Sequence, residues 1–346
     1  SIKPDPDAVK WRSDSVESYS TGSDTNTGSP DIPYHDFASH PLYTTYRVSD
    51  DYMDIADPDI IDVSAIMTDI HIPERQEVSV IPIHRPLMDY RNQFNELEGD
   101  RLAELLSAMS IFTERYKTRP TEELYFPEVY RVLSYRFEHQ LRKIIEMCKN
   151  LIHFKSFCEN DKVSLIKYGF IELYLLRSLN NYDSTHNYWT VVMENRHSVI
   201  LRLESMQYYP RNIHSLYRIF FEKILNDWNS DTVVLDLLTA IILFNPNRPN
   251  LTHRDSVKVQ QQTYMYLLQR YLLLRYRDET ESQAKCQRLL RSLYYLEVLA
   301  EKKVQNCLEI DRKIVAQHPL LLEVFDLPTM SQDIKPSHLM ANIFVY

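Results

Sequence analysis

Residues 163–179 are apolar around nearly the whole circumference of the helix that their spacing predicts. A soluble helix without a polar face must be covered on both sides, so this one should lie in the middle of a sandwich. Residues 231–244 have the pattern of a second helix of the same kind. Two buried helices predict a domain that is three layers of helix thick.

Helical periodicity continues through most of the remaining chain from about residue 95. Apolar residues recur at steps of three and four from Tyr130 to Phe157 without Gly or Pro, which predicts one long helix. The segment 188–193 follows turn residues and is typical of a short strand or hairpin. The predicted fold class is therefore all-α: a three-layer antiparallel helical sandwich with one small β-hairpin.

Two helix starts have the spacing of capping boxes. Asn95 precedes Glu98, and Thr252 precedes Asp255, each pair standing ahead of an apolar helical pattern. In a capping box, each side chain accepts a hydrogen bond from the other residue's backbone N–H. We therefore expect helices to begin next to Asn95 and Thr252.

Residues 1–90 differ from the rest in composition. They hold 17 acidic and 6 basic residues, a net charge of −11, and nine of the 17 prolines. Such a segment cannot bury enough apolar surface to offset its chain entropy. We expect a disordered acidic hinge or linker over residues 1–92, a folded domain over 93–328 and a C-terminal extension over 329–346.

Composition also excludes several kinds of site. Residues 91–346 hold 31 acidic and 33 basic residues, too balanced for a broad nucleic-acid-binding face. Only four glycines disfavour Gly-rich nucleotide loops, and no apolar run reaches the length of a membrane span. The cysteines show no CxxC pair and no metal-ligand spacing, so we expect structural thiols and no metal site (Cys148, Cys158, Cys286 and Cys307).

The segment 318–326, close to the C-terminus, surrounds one acid, Glu323, with an apolar helical turn. Isolated helices shorter than about 12–15 residues are marginal in water, so this one must dock on another part of the protein. The residues of its docking face are Leu320, Leu321, Val324 and Phe325. A dockable terminal helix suits a switch, although an ordinary cap on the core has the same pattern.

Two motifs resemble those of nuclear receptor ligand-binding domains. Residues 157–172, FCENDKVSLIKYGFIE, resemble the signature that joins the family's third, fourth and fifth helices. Residues 319–325, PLLLEVF, follow about 150 residues later and resemble its activation helix. LLRS at 175–178, followed by Trp189, looks closest to the vitamin D and pregnane X receptor group and its arthropod orphan relatives. The resemblance covers about residues 95–328.

The resemblance implies a nuclear, ligand-regulated transcription factor and not an enzyme. Such a domain binds a small lipophilic molecule, which would be a sterol, another lipid or a xenobiotic, and recruits coactivators. DNA contact and zinc would belong to an upstream domain outside this chain, with no cofactor and no membrane contact in the chain itself.

The resemblance also implies a groove for a coactivator helix of LxxLL type. Lysines suit the carbonyl end of a short helix and a carboxylate suits its amide end. The residues assigned to this groove are Lys149, Val163, Ile166, Lys167, Leu322 and Glu323. The alternative for the two lysines is that they are ordinary solvated surface residues.

A ligand cavity is implied by the same resemblance. Arg177 lies in the all-apolar helix, where an unpaired charge is costly, so it needs a ligand oxygen or a structural ion pair with a nearby glutamate. Gln140 stands where the vitamin D receptor has a small hydroxyl residue, which argues against a hydroxylated secosteroid. The residues assigned to the cavity are Phe137, Gln140, Leu141, Ile144, Ile171, Tyr174, Arg177, Ser178, Trp189, Leu321 and Phe325.

A heptad-like seam runs through the predicted helix 281–309 and includes Leu289, Leu293 and Leu296. It resembles the family's dimer surface, commonly used with a retinoid X receptor-type partner, but the same stripe also suits internal packing.

Two functions of other classes compete with the receptor. Residues 50–54 spell the DDxxD pattern with which all-α isoprenoid or terpene synthases hold magnesium, and residues 226–230 begin a second such motif. The carboxylate that the second motif needs is replaced by Val234. A non-catalytic helical adaptor is the other alternative.

Overall fold

The computed structural model describes residues 93–113, 122–123, 128–193, 198–309 and 319–326. The expected disordered acidic segment over 1–92 and the C-terminal extension over 329–346 lie outside the described residues. Of the described helices, none is long and apolar enough to cross a membrane.

The described residues are mostly helical, which confirms the predicted fold class. In chain order the helices are α1 (Glu96–Met109), α2 (Glu128–Lys149), α3 (Ile152–Lys155), α4 (Glu159–Arg177), α5 (Ile213–Trp228), α6 (Thr232–Leu243), α7 (Arg254–Tyr276), α8 (Glu279–Glu309) and α9 (Pro319–Val324). Single 3₁₀ turns cover Ser110–Phe112, Ser178–Asn181 and Leu203–Tyr208.

Three layers follow from which helices touch. Helices α1 and α2 form one outer layer, α5 and α8 form the other, and α4, α6 and α7 lie between them. Helix α7 contacts α8 on one side and α1 on the other, where Arg270 donates to the carboxylate of Glu98. In α4 and α6 the buried residues occupy all sides of the helix, as the sequence predicts. Burial on both sides explains why α4 and α6 have almost no polar face.

The sheet is larger than the predicted hairpin. Strands β1 (Glu122–Glu123), β2 (Tyr182–Asp183), β3 (Tyr188–Val192) and β4 (Ser198–Arg202) are arranged in the order β1-β4-β3-β2. The pairs β2–β3 and β3–β4 are antiparallel, whereas β1 joins β4 in parallel. The Trp189 side chain of β3 is buried against Tyr217 and Phe221 of α5.

The predicted long helix to Phe157 is interrupted. Helix α2 ends at Lys149, and the short α3 follows after Asn150 and Leu151. The backbone N–H of Ile152 donates to the Glu104 carboxylate of α1 at 2.6 Å. This long-range contact stabilises the new helix start, and Leu151 is fully buried.

One predicted cap is confirmed and the other is wrong. Asn95 and Glu98 form the full capping box of α1. At α7 the N-cap residue is His253 and not Thr252, and the hydroxyl of Thr252 accepts from the Asn160 side chain at 3.1 Å instead.

Candidate functional site

A small cavity lies between the sheet, the middle of α2 and the C-terminal parts of α4 and α8. Its volume is about 40 Å³, and its lining comprises Phe112, Arg136, Gln140, Tyr174, Arg177, Ser178, Asn180, Asn181, Trp189, Thr190, Val191, Leu201, Met206, Tyr217 and Lys303. A water molecule needs about 10–15 Å³ of such space, so a few waters fit. Because drug-sized ligands occupy roughly 300–1,000 Å³, a larger ligand must push these side chains apart.

Two buried hydrogen-bond donors of this lining are unsatisfied. Nε of Arg177 and Nε1 of Trp189 have no hydrogen-bond partner within the described part of the chain. A buried N–H without an acceptor costs about 1–3 kcal/mol. Both residues line the cavity, so a small movement of their side chains would bring two N–H groups to a molecule that carries an acceptor oxygen.

The charged lining residues are all basic. Arg136, Arg177 and Lys303 belong to the lining, and none of the lining residues is acidic. The ammonium group of Lys303 also lies 4.1 Å from the centre of the Tyr209 ring. This electrostatic environment favours a ligand with an electron-rich polar end.

Arg177 has a protein partner as well as a face towards the cavity. Its Nη1 is 2.5 Å from Oδ1 of Asp236 in α6, and its guanidinium carbon lies 4.4 Å from the centre of the Phe112 ring. Burial lowers the pKa of Arg177 despite Asp236, and burial raises the pKa of Asp236 despite Arg177. The ion pair is thus with an aspartate of another helix and not with a glutamate.

The terminal helix α9 is docked against α2 and α4. Its apolar face is buried, with Leu321 fully enclosed and Phe325 1% exposed. Just beyond the helix, Asp326 forms an ion pair with Lys167 of α4. The short helix is therefore held by apolar burial and by one ion pair at its end.

The comparisons with known proteins agree with this architecture. The nuclear hormone receptor HR96 of Drosophila melanogaster is 27% identical over 228 residues, which are 66% of this chain and 31% of that receptor. The ecdysone receptor of Lucilia cuprina is 27% identical over 198 residues, 57% of this chain and 25% of that receptor. The family member nhr-8 of Caenorhabditis elegans is 26% identical over 154 residues, 43% of this chain and 26% of that protein. No family model matches.

The chain resembles the ligand-binding domain of nuclear receptors. The chain spans about a third or less of the length of these relatives. An arthropod receptor is among them, which agrees with the expected arthropod relatives of the vitamin D and pregnane X receptor group.

The cavity is lined by some of the residues that were predicted to contact a ligand. Gln140, Tyr174, Arg177, Ser178 and Trp189 line it. The other predicted residues are buried but do not belong to the lining of this cavity: Phe137, Leu141, Ile144, Ile171, Leu321 and Phe325. Phe137, for example, packs edge-on against Tyr174 with ring centres 4.5 Å apart.

The sequence-based prediction missed several residues that line the cavity. Thr190, Val191 and Leu201 come from β3 and β4, and Met206 comes from the following 3₁₀ turn. Helical periodicity carries no signal for strands that pair across a turn. The alternation of β3, in which Trp189 and Val191 are buried, is the only local hint.

The predicted coactivator residues lie on the elements that meet α9. Lys149 is the last residue of α2, while Ile166 and Lys167 lie in α4. Ile166 is fully buried, Val163 is half-buried, and Leu322 is 8% exposed. Glu323 is half-buried on α9, and the acid that pairs with Lys167 is Asp326.

The three residues predicted for a dimer interface differ in how deeply they are buried. Leu289 and Leu296 are fully buried inside the fold, so they have no surface left for a partner. Leu293 is half-buried and retains accessible surface. Internal packing therefore uses most of this seam.

The first of the two synthase motifs, residues 50–54, lies outside the described residues. Asp227 of the second motif is held by Arg288, whose Nε and Nη2 donate to its two oxygens at 2.8 and 2.7 Å. A carboxylate in such a two-point ion pair is occupied by protein.

Proposed function

We propose that this chain is the ligand-binding domain, over residues 93–328, of a nuclear, ligand-regulated transcription factor. The observation that carries the proposal is the pair of buried, unsatisfied donors on Arg177 and Trp189 in the cavity wall. In a receptor domain, such donors favour a bound molecule that returns the missing acceptor.

The ligand that fits best is lipophilic with one acceptor oxygen, such as a sterol, another lipid or a xenobiotic. The oxygen would accept from Nε of Arg177 or Nε1 of Trp189, and a hydrogen bond to a charged group contributes about 1.5–3 kcal/mol. The apolar body would displace lining side chains such as Met206, because the present cavity of about 40 Å³ is too small for it.

Ligand binding would act on coactivator recruitment through α9. Leu321 and Phe325 of α9 face the same core that α2 and α4 enclose. A ligand that stabilises the docked helix by about 5.5 kcal/mol would shift its population from 1:99 to 99:1. The docked helix would complete an apolar groove for an LxxLL helix, with Lys149 and Lys167 at one end and Glu323 at the other.

Further partners follow from the same proposal. A retinoid X receptor-type partner would contact α8 through Leu293, which keeps exposed surface. DNA would be bound by a zinc-containing domain of the full receptor outside this chain. The domain itself would need no cofactor and catalyse no reaction.

Native mass spectrometry of the chain expressed in insect cells tests the ligand. We expect a retained lipophilic molecule in the wild type and a clear loss of it in Trp189→Phe, which removes the Nε1 donor but keeps an aromatic ring. Trp228→Phe is the matched control, because Trp228 is equally buried and donates to the backbone oxygen of Asp231. Equal retention by Trp189→Phe and the control would contradict the cavity assignment.

A further inference from the structure

A cysteine, an aspartate and a histidine converge where the start of α4 meets the start of α7. Cys158 is the N-cap residue of α4, Asp161 lies in its first turn, and His253 is the N-cap residue of α7. Nδ1 of His253 lies 2.8 Å from Oδ2 of Asp161 and 3.7 Å from Sγ of Cys158. The three potential ligand atoms all lie within 4.8 Å of one another.

Hydrogen bonds between the two helix starts hold these atoms in place. The carboxylate of Asp161 accepts from the backbone N–H of Thr252 at 2.6 Å and from that of His253 at 3.1 Å. The side-chain amide of Asn160 donates to the backbone oxygen of Asn250 at 2.6 Å. The cluster is therefore preorganised by backbone contacts that do not involve the thiol or the imidazole.

The chemistry of the cluster matches a borderline-soft divalent cation. Nδ1 of His253 is within hydrogen-bond distance of both Oδ2 of Asp161 and Sγ of Cys158, so the three polar atoms meet at one place. Thiolate, imidazole and carboxylate are the three ligand types of protein-bound zinc. Tetrahedral zinc with bonds of about 2.3 Å to sulfur and about 2.0–2.1 Å to nitrogen separates these two atoms by roughly 3.5 Å. The observed 3.7 Å is close to that separation, whereas the 2.8 Å between Nδ1 and Oδ2 is a hydrogen-bond distance and has to lengthen by about 0.5 Å when the ion binds.

Access and burial fit a site with one open position. Asp161 is fully buried, Cys158 is half-buried, and 55% of the His253 side chain is exposed. The exposed side of the cluster is therefore that of His253, and an ion would enter there. The charges of a thiolate and a carboxylate would balance that of the divalent ion.

We propose that Cys158 Sγ, Asp161 Oδ2 and His253 Nδ1 bind one zinc ion, with water as the fourth ligand. A zinc–sulfur bond forms as the thiol S–H bond breaks, and the thiol proton leaves to solvent. The imidazole binds through the Nδ1 lone pair with its proton on Nε2, so one proton is released per zinc. The ion would join α4 to α7 and stabilise the fold, independently of the ligand cavity and of any zinc in an upstream domain.

Titration of the folded chain with Co²⁺ and then Zn²⁺ tests this site. The wild type should show a thiolate-to-cobalt charge-transfer band that zinc abolishes, and zinc should raise its midpoint temperature of unfolding. Cys158→Ser should lack the band and bind zinc at least about 100-fold more weakly, the upper range for loss of even an outer-shell partner. Cys286→Ser is the matched control, because that thiol is buried in α8 and should leave the band unchanged.

His253→Asn provides a second variant that keeps a favourable N-cap residue and should also lose the band. Asp161 is left intact, because its carboxylate accepts the backbone N–H groups of Thr252 and His253 that position the helix start. Absence of the band in the wild type would overturn the proposal and leave a helix-capping network. Zinc bound equally by wild type, Cys158→Ser and His253→Asn would overturn it too, since that metal would lie elsewhere in the chain.

Discussion

Removing the carboxylate of Asp236 while keeping Arg177 should destabilise the domain strongly. The two side chains are 12% and 6% exposed, and their ion pair joins the middle-layer helices α6 and α4. Asp236→Leu leaves a buried guanidinium beside two neutral groups, the Thr239 hydroxyl at 3.5 Å and the Phe112 ring. Breaking a buried pair by removing one partner costs about 3–5 kcal/mol.

The double variant Arg177→Met with Asp236→Leu should be far less destabilised than either single variant. Burial disfavours the charged form of both groups: the pKa of Arg177 is lowered and that of Asp236 is raised in spite of their mutual attraction. The pair therefore does not fully recover its desolvation cost, and replacing both charges by apolar groups is often neutral or stabilising. The expected coupling energy between the two positions is therefore about 5 kcal/mol or more.

Urea unfolding followed by circular dichroism measures all four proteins of this cycle. We expect both single variants to lose about 3–5 kcal/mol and the double variant to remain within about 1 kcal/mol of the wild type. Additive losses in the double variant would refute the reasoning, because they would mean that the two residues stabilise the fold separately.

Three further predictions concern other parts of the domain. Burial opposes the charge of Glu98, but hydrogen bonds from Arg270 and Tyr266 outweigh it and lower the pKa of Glu98 below the ordinary 4.5. Ionised Glu98 therefore contributes to the free energy of unfolding above pH 4.5, and this contribution is lost as the pH falls through the lowered pKa. Urea unfolding between pH 5 and 3 should therefore be less pH-dependent in Glu98→Gln than in the wild type, and equal slopes would contradict this. Phe325→Ala should lower the free energy of local opening of residues 319–326 by about 3–5 kcal/mol. Hydrogen exchange should therefore become faster over residues 319–326 and stay unchanged in α4. A thiol reagent should label Cys158 first in the native protein, since the other three cysteines are buried; simultaneous labelling of all four would contradict the fold.

The sequence was informative where structure depends on local pattern. Helices α4 and α6 are apolar on all sides because both of their faces are covered, and this burial is visible in any short window of sequence. The docked α9 was predictable for a related reason, since a short apolar helix has no other way to be stable. The capping box at Asn95 involves residues only three apart.

Features that depend on distant contacts could not be predicted in this way. Helix α2 ends near a bond from Ile152 to Glu104, 48 residues away, and the cap of α7 depends on Asp161, 91 residues before Thr252. The Cys158–His253 contact spans 95 residues, so no ligand spacing was visible in the sequence.

The cavity lining includes both residues that local pattern predicts and residues that depend on distant contacts. Its residues from α2 and α4 follow from helical faces and from the family resemblance. Those from β4, such as Leu201, depend on strand pairing with β3 that has no local signal. The ion pair of Lys167 with Asp326, 159 residues later and just after the end of α9, likewise has no local signal.

Fluorescence anisotropy of a labelled LxxLL peptide measures whether the docked α9 completes a coactivator groove. Wild-type protein should bind the peptide, and Glu323→Ala should weaken binding about twofold to thirtyfold, the range for a charge at a helix terminus. Glu279→Ala, at an exposed position that begins α8, should bind as the wild type does. Unchanged peptide binding in Glu323→Ala, with the same circular dichroism spectrum as the wild type, would contradict the groove and the switch that depends on it.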